Sequence, residues 1–299
     1  MTPSRQRDWK EILFSRRMLI CIFIGFTSGM PLYVLIQLVP AWLRSNGVDL
    51  ATIGLFSLVS LPYTWKFLWS PLMDRFVPPF LGRRRGWALM TQVALLFAIG
   101  MLGQFDPAQS LSVIVGLVFI VSLFSASQDI VIDAYRRELL ADDELGTGNS
   151  FFINAYRLSS LVPGSLALIL SDFLPWAAVY WITGGFMLVG VITTFVIREV
   201  SDDALAPHTL REAVVEPFRE FFARDGVATA LAILAFMFLY KLGDNMATAL
   251  ATPFYLDIGF SRTEIGSIAK LAALWSVIAG SVIGGIAMLK LSINRALWI

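Results

Sequence analysis

The chain has 299 residues, of which 57% are hydrophobic and only 15% charged, with a mean hydropathy of +0.72 and a formal net charge of +1. Soluble domains carry about 25% charged residues, so a chain this apolar cannot cover itself with polar surface, and the bilayer is its expected solvent. A single cysteine, Cys21, and a single histidine, His208, exclude a disulfide framework and argue against a histidine-based metal site or catalytic triad in the membrane.

A basic tail (Arg5, Arg7, Lys10, Arg16, Arg17) precedes an apolar stretch over 18–42. That stretch is too long for the core of a signal peptide and has no clear small-x-small cleavage site, so it reads as a retained first span. A span needs roughly 20 apolar residues, and eight candidates follow in order: 18–43, 51–72, 87–104, 110–134, 149–171, 174–197, 227–256 and 263–289. Pro31, Pro62 and Pro163 should bend spans 1, 2 and 5.

The basic residues test this map. The tail and the loops after spans 2, 4, 6 and 8 hold 17 of the 23 Lys and Arg, whereas the loops on the other side hold two, Arg44 and Arg262. The positive-inside rule then places the N-terminus in the cytoplasm and fits eight spans. The longest connection, 198–226, carries helical periodicity over 210–224 with Phe218, Phe221 and Phe222 grouped. It reads either as an amphipathic helix on the cytoplasmic membrane surface or as an exposed helical linker. The expected organisation is a six-helix N-terminal half over 1–197, a cytoplasmic connection over 198–226, and the first two helices of a C-terminal half over 227–299. Transporters with two parallel halves are built this way, and the second half as it stands here would need about four more helices.

The loop after span 2 reads SPLMDR over 70–75, with Asp74 and Arg75, and then Gly82, Arg83, Arg84, Arg85 and Gly86. It resembles the signature loop of the major facilitator superfamily, an acid–Arg pair followed by glycine and a basic cluster. It departs from the usual form where Ser70 replaces a glycine and FVPPFL separates Arg75 from Gly82. Gly284 and Gly285, followed by Lys290, Asn294 and Arg295, resemble a degraded second copy. The segments KFLWSPLMDR (66–75), GRRRGW (82–87), SASQDIVIDA (125–134), AVVEPFREFFAR (213–224) and YKLGD (240–244) are similar, in order along the whole chain, to those of the AmpG-type muropeptide permeases. The resemblance implies an all-α polytopic membrane protein of the major facilitator fold, with about 8 of an expected 12 or more transmembrane helices present. It also implies a place in the inner membrane of Gram-negative bacteria and proton-driven import of anhydro-muropeptides, GlcNAc linked to anhydro-MurNAc bearing a peptide, for peptidoglycan recycling.

An ionisable residue at the centre of a spanning helix costs about 2.5–3.5 kcal/mol on insertion scales and normally marks a pathway or a structural pair. On span 4, Ser122, Ser125, Asp129 and Asp133 share one helical face. A carboxyl caught between desolvation, which favours its neutral form, and a nearby cation, which favours its charged form, can exchange a proton as access alternates. Asp129 is the first candidate for proton coupling and Asp133 the second, although Arg136 and Arg137 also make Asp133 a candidate for a structural pair. Arg157, on one face of span 5 with Asn154, could bind a substrate carboxylate or neutralise either aspartate. Lys241 and Asp244 on span 7 and Lys270 on span 8 would suit an anionic, peptide-bearing ligand, with local pairing of Lys241 and Asp244 the competing explanation. Lys66 can snorkel to the interface. Gln37 and Gln128 could hydrogen-bond sugar hydroxyls, and Tyr33 or Trp65 could stack on a sugar ring.

With no P-loop, no HExxH and no Gly-x-Ser-x-Gly elbow, neither ATP-driven transport nor an enzyme is expected. No cofactor, metal or nucleic acid is expected; protons, lipid and the muropeptide are the expected partners. Two alternatives stay open: a facilitator of another anionic metabolite such as a CoA thioester, and a non-transporting remnant.

Overall fold

The structure, a computed structural model, describes residues 13–49, 52–53, 61–200, 219–224, 226–236, 239 and 270–287. Among these the regular elements are all helical. They are α1 (Arg16–Ser45), α2 (Leu61–Trp65) with a 3-10 turn at Lys66–Leu68, α3 (Ser70–Arg75), α4 (Arg83–Leu102), α5 (Leu111–Leu139), α6 (Leu145–Ser171), α7 (Trp176–Val196), α8 (Val227–Phe236) and α9 (Lys270–Ala287). Five of them, α1 and α4 to α7, are long and apolar enough to cross a membrane. They correspond to expected spans 1, 3, 4, 5 and 6. Of span 2, residues 52–53 and those from Leu61 onward are described, with α-helix at 52–53 and 61–65, and α8 and α9 stand for parts of spans 7 and 8.

Several boundaries differ from the sequence reading, two of them for one physical reason. Hydropathy measures the lipid-facing length, whereas the hydrogen-bonded helix continues into the interface. Helix α5 runs to Leu139 rather than 134, because its last turn carries Arg136 and Arg137, cations that suit the negative end of the helix dipole. Helix α1 starts at Arg16, where the Ser15 hydroxyl accepts the Met18 N–H at 3.4 Å.

Spans 1 and 5 are distorted near their prolines, as expected. A proline removes one N–H from the ladder and crowds the carbonyl a turn earlier. Helix α1 widens into a π-turn over Val34–Leu38 just after Pro31, and α6 does the same over Val162–Leu166 around Pro163.

The chain divides into two compact units, Met1–Ala206 with Ser281–Ile299, and Pro207–Gly280. In the first, α1 packs on α5, α6 and α7, and α4 packs on α5 and α7. In lipid there is little hydrophobic force between helices, so close backbone approach matters more. Gly25 and Gly29, four apart on α1, provide it: a methyl at either would meet the carbonyl oxygen of Phe152 or Tyr156 on α6. Between α4 and α7, Gly100 lies under the Trp181 ring and Gly184 over the Leu96 carbonyl. Met30, Val34, Trp42, Leu95, Ile99 and Tyr180 fill the core, with the Trp42 and Tyr180 rings edge-on at 5.0 Å. Large apolar side chains such as Phe97, Phe119 and Phe195 point outward, as lipid allows. Gly25→Val should therefore destabilise the bundle by about 1–3 kcal/mol through overpacking, read as a lower unfolding temperature in detergent.

The second unit is described over 219–224, which is helical, at 226 and 239, over α8, and over the part of α9 up to Gly280. Arg224 pairs with Glu220 at 2.5 Å, and the Phe221 and Phe222 rings meet at 5.5 Å. The remainder of the 210–224 periodicity lies outside the described residues.

Candidate functional site

The polar stripe of α5 meets three other helices. The Ser28 hydroxyl of α1 donates to the Asp129 carboxylate at 2.5 Å. One residue earlier on both helices, the Gln128 amide donates to the Thr27 carbonyl at 3.0 Å. Adjacent residues of α5 thus clasp adjacent residues of α1, one turn before the Pro31 distortion. One turn along α5, the Tyr63 hydroxyl of α2 donates to the buried Ser125 hydroxyl at 2.7 Å. Lys66, from the 3-10 turn after α2, reaches Asp129 electrostatically, as do Asp133 and Arg136. The sequence reading left Lys66 at the interface; in the structure its charge acts on the half-buried Asp129.

Helix α6 closes another side. The Tyr33 and Tyr156 rings meet edge-on at 5.8 Å, and the fields of Asp129 and Tyr63 both reach the Tyr156 hydroxyl. Arg157 is half-buried, acts on Tyr33, and makes no ion pair or hydrogen bond among the described residues. Its guanidinium retains five donors for a carboxylate. Asn154, one turn away, accepts from the Ser281 hydroxyl at 2.8 Å.

The other candidates separate from this cluster. Asp133 is exposed and pairs with Arg136 at 3.0 Å, and the Arg136 guanidinium also lies 4.0 Å over the Phe152 ring. Ser122 is buried, and neither its hydroxyl nor the Gln128 carbonyl oxygen has a partner among the described residues. Gln37 sits on the π-turn of α1 with its carbonyl oxygen where a side chain on Gly164 of α6 would lie. Lys241 and Asp244 lie outside the described residues, and Lys270 opens α9 with a side chain that is likewise not described.

The loop between α3 and α4 forms a second polar constellation. Gly82 has φ of 81°, a left-handed conformation that suits glycine, and it caps α4, whose first residues are Arg83, Arg84 and Arg85. Arg84 is the hub: it contacts Asp74 at 2.6 Å and Glu138, near the end of α5, at 2.7 Å. Arg83 donates to the Asp74 carbonyl at 3.4 Å, and Arg75 stacks over Phe76. Arg85 holds the end of α7, donating to the carbonyls of Thr194 at 2.9 Å and Phe195 at 3.2 Å. Glu199 returns the connection by accepting the Arg85 backbone N–H at 2.9 Å. A parallel tie joins Arg17 of α1 to the buried Glu144 before α6 at 2.6 Å.

Sequence reasoning missed Ser28, Tyr63, Glu138, Glu144 and Glu199. A usable signal existed for two of them. Ser28 lies in GFTSG (25–29), where the spaced glycines mark a helix-packing face. Glu138 lies nine residues after Asp129, on the same helix once α5 is extended to its true end.

The family profile of the Major Facilitator Superfamily matches residues 6–299. The chain belongs to the Major Facilitator Superfamily. That superfamily is one of transporters, not enzymes. Among its relatives, this facilitator is 48% identical over 289 residues to a Haemophilus influenzae protein of unassigned function, covering 96% of this chain and 68% of that one. It is 44% identical over 294 residues to the anhydromuropeptide permease of Escherichia coli K12, covering 98% of this chain and 59% of that one. A Rickettsia conorii protein named as transporter AmpG 4 is 30% identical over 293 residues, with 94% and 69% covered. The chain therefore spans about 59–69% of the length of these relatives.

Proposed function

We propose that these residues belong to a proton-coupled importer of anhydro-muropeptides in the bacterial inner membrane, with the N-terminus in the cytoplasm. The 44% identity to the Escherichia coli anhydromuropeptide permease over 98% of the chain is the observation that carries the cargo. In this reading the chain contributes a six-helix N-terminal half over 1–197, a cytoplasmic connection, and the start of a second half from 227.

Asp129 is the proton carrier in this mechanism. It is an ionisable group inside a spanning helix, held by a hydroxyl on α1 and flanked by the Lys66 charge. Such a group takes and releases a proton when its access and its donors change. Arg157 binds a carboxylate of the cargo with its unspent donors, Tyr33 packs against a sugar ring, and Gln37 and Gln128 bond its hydroxyls. Lys241, Asp244 and Lys270 are further candidates for contacts with an anionic, peptide-bearing cargo. Asp133, paired with Arg136, tunes the field at Asp129. The Asp74–Arg84–Glu138 network is the latch that opens as access alternates, with Arg75, Gly82, Arg83 and Arg85 shaping its loop.

Ser28→Ala should slow proton-driven uptake by about tenfold and leave folding intact, because one hydrogen bond to a charged group contributes about 1.5 kcal/mol; the initial uptake rate in proteoliposomes measures it.

The deciding experiment reconstitutes the whole protein in liposomes and follows labelled GlcNAc-anhydro-MurNAc-tripeptide with and without an inward proton gradient. Accumulation that requires the gradient supports both cargo and coupling. Accumulation indifferent to the gradient overturns the coupling. No uptake by folded protein, or complete competition by a CoA thioester, overturns the cargo and moves the search to other anionic metabolites.

A further inference from the structure

A groove of about 440 Å³ runs between α1 and α7 on the outside of the bundle, away from the Asp129 cluster. Leu19 and Phe23 form one wall and Val189, Ile192 and Val196 the other, and Arg16 stands at one end. From Arg16 to Phe23 the groove covers about two helical turns, roughly 10 Å of axial length. Its walls include some of the most exposed apolar side chains of the first unit: Ile192 is 61% and Val196 63% exposed.

Two guanidinium groups gather at the Arg16 end. Arg16 is exposed and donates to the Val196 carbonyl at 3.1 Å, and Arg85 donates to the carbonyls of Thr194 and Phe195. Together they occupy three carbonyls at the end of α7 and place two positive charges there. Glu199, just after α7, accepts the backbone N–H groups of Arg85 and Val200. Arg16 makes only the Val196 bond among the described residues, so most of its five donors remain available.

An apolar channel on a lipid-facing surface, headed by a cation at the membrane interface, has the two-part chemistry of an anionic phospholipid. We propose that this groove is a binding site for such a lipid, with one acyl chain lying between α1 and α7 and the phosphate held by Arg16. A zwitterionic lipid fills the channel equally well but gains less from Arg16, since its headgroup carries a compensating cation. The site also ties the start of α1 to the end of α7, the two ends of the six-helix block.

The test uses the whole protein, delipidated in detergent and then offered phosphatidylglycerol or phosphatidylcholine of matched acyl chains, with retained lipid counted by native mass spectrometry. A cation near the membrane surface contributes about 1 kcal/mol toward an anionic lipid, so phosphatidylglycerol should be retained about fivefold more tightly. Arg16→Gln should bring the two lipids to parity. Ile192→Trp, at a position exposed enough to accept a larger ring without disturbing the fold, should fill the channel and displace both lipids. Equal retention of the two lipids by the unmodified protein overturns the proposal, as does a preference that survives Arg16→Gln. If Arg16→Gln fails to fold, Ile192→Trp decides alone: unchanged phosphatidylglycerol retention sinks the site.

Discussion

Asp129→Asn should abolish gradient-driven accumulation of the muropeptide while leaving the protein folded and able to bind its cargo. Asparagine keeps the carbonyl oxygen that accepts the Ser28 hydroxyl and has nearly the volume of aspartate, so packing between α1 and α5 is preserved. What it cannot do is gain or lose a proton. Accumulation should fall to the level set by the cargo gradient alone. Exchange of labelled for unlabelled cargo without a proton gradient should stay within a few-fold of the unmodified protein. That pairing matters, because a structural aspartate would lose both activities together on failing to fold. Asp133→Asn should have a much smaller effect: its carboxylate is exposed, pairs among the described residues with Arg136, and acts on Asp129 only through its field, and exposed pairs contribute about 0–1 kcal/mol. Accumulation unchanged in Asp129→Asn would remove this residue from the coupling step.

Much of the bundle was legible in the sequence because the bilayer imposes a length on apolar runs. A helix crossing lipid must satisfy its own backbone and present an apolar surface for its whole passage, and α1, α4, α5, α6 and α7 do so. Helix ends were less legible, since the polar turn of α5 after residue 134 carries no hydropathy signal although it remains helical. The polar clusters were legible in part for a related reason. Asp129, Asp133 and Arg157 stand out because charge is costly in a span, whereas Ser28 and Tyr63 are ordinary there and become partners only through packing. One face of α5 carries Ser122, Ser125, Asp129 and Asp133, but its neighbours differ along its length. Ser125 meets Tyr63, Asp129 meets Ser28, and Asp133 reaches the surface at Arg136. Periodicity places side chains on a face; it says nothing of which helix lies opposite.

Arg84→Met should be the most damaging single change at the junction of α3 and α4. Its side chain is only 9% exposed and contacts two carboxylates, Asp74 40% and Glu138 29% exposed. Two magnitudes compete. Breaking a fully buried pair costs about 3–5 kcal/mol, but these acids keep part of their hydration, which moves the loss toward the 0–1 kcal/mol of surface pairs. An intermediate loss of about 2 kcal/mol follows, about three times that expected from losing the exposed Arg137–Asp142 pair. It should appear as a lower unfolding temperature in detergent. Arg84→Lys should recover only part of it, since an ammonium cannot reproduce the fork that reaches Asp74 through one nitrogen and Glu138 through two others. Removing both acids with Asp74→Asn and Glu138→Gln leaves Arg84 buried without a counter-charge and should match the loss in Arg84→Met. If the latch closes one face of the transporter, all three variants should also raise accessibility to a thiol reagent of a cysteine placed at Ser28, because the α3–α5 tie that shields this side is gone. Stability lost without any change in that labelling would leave the network a structural clamp and remove it from alternating access.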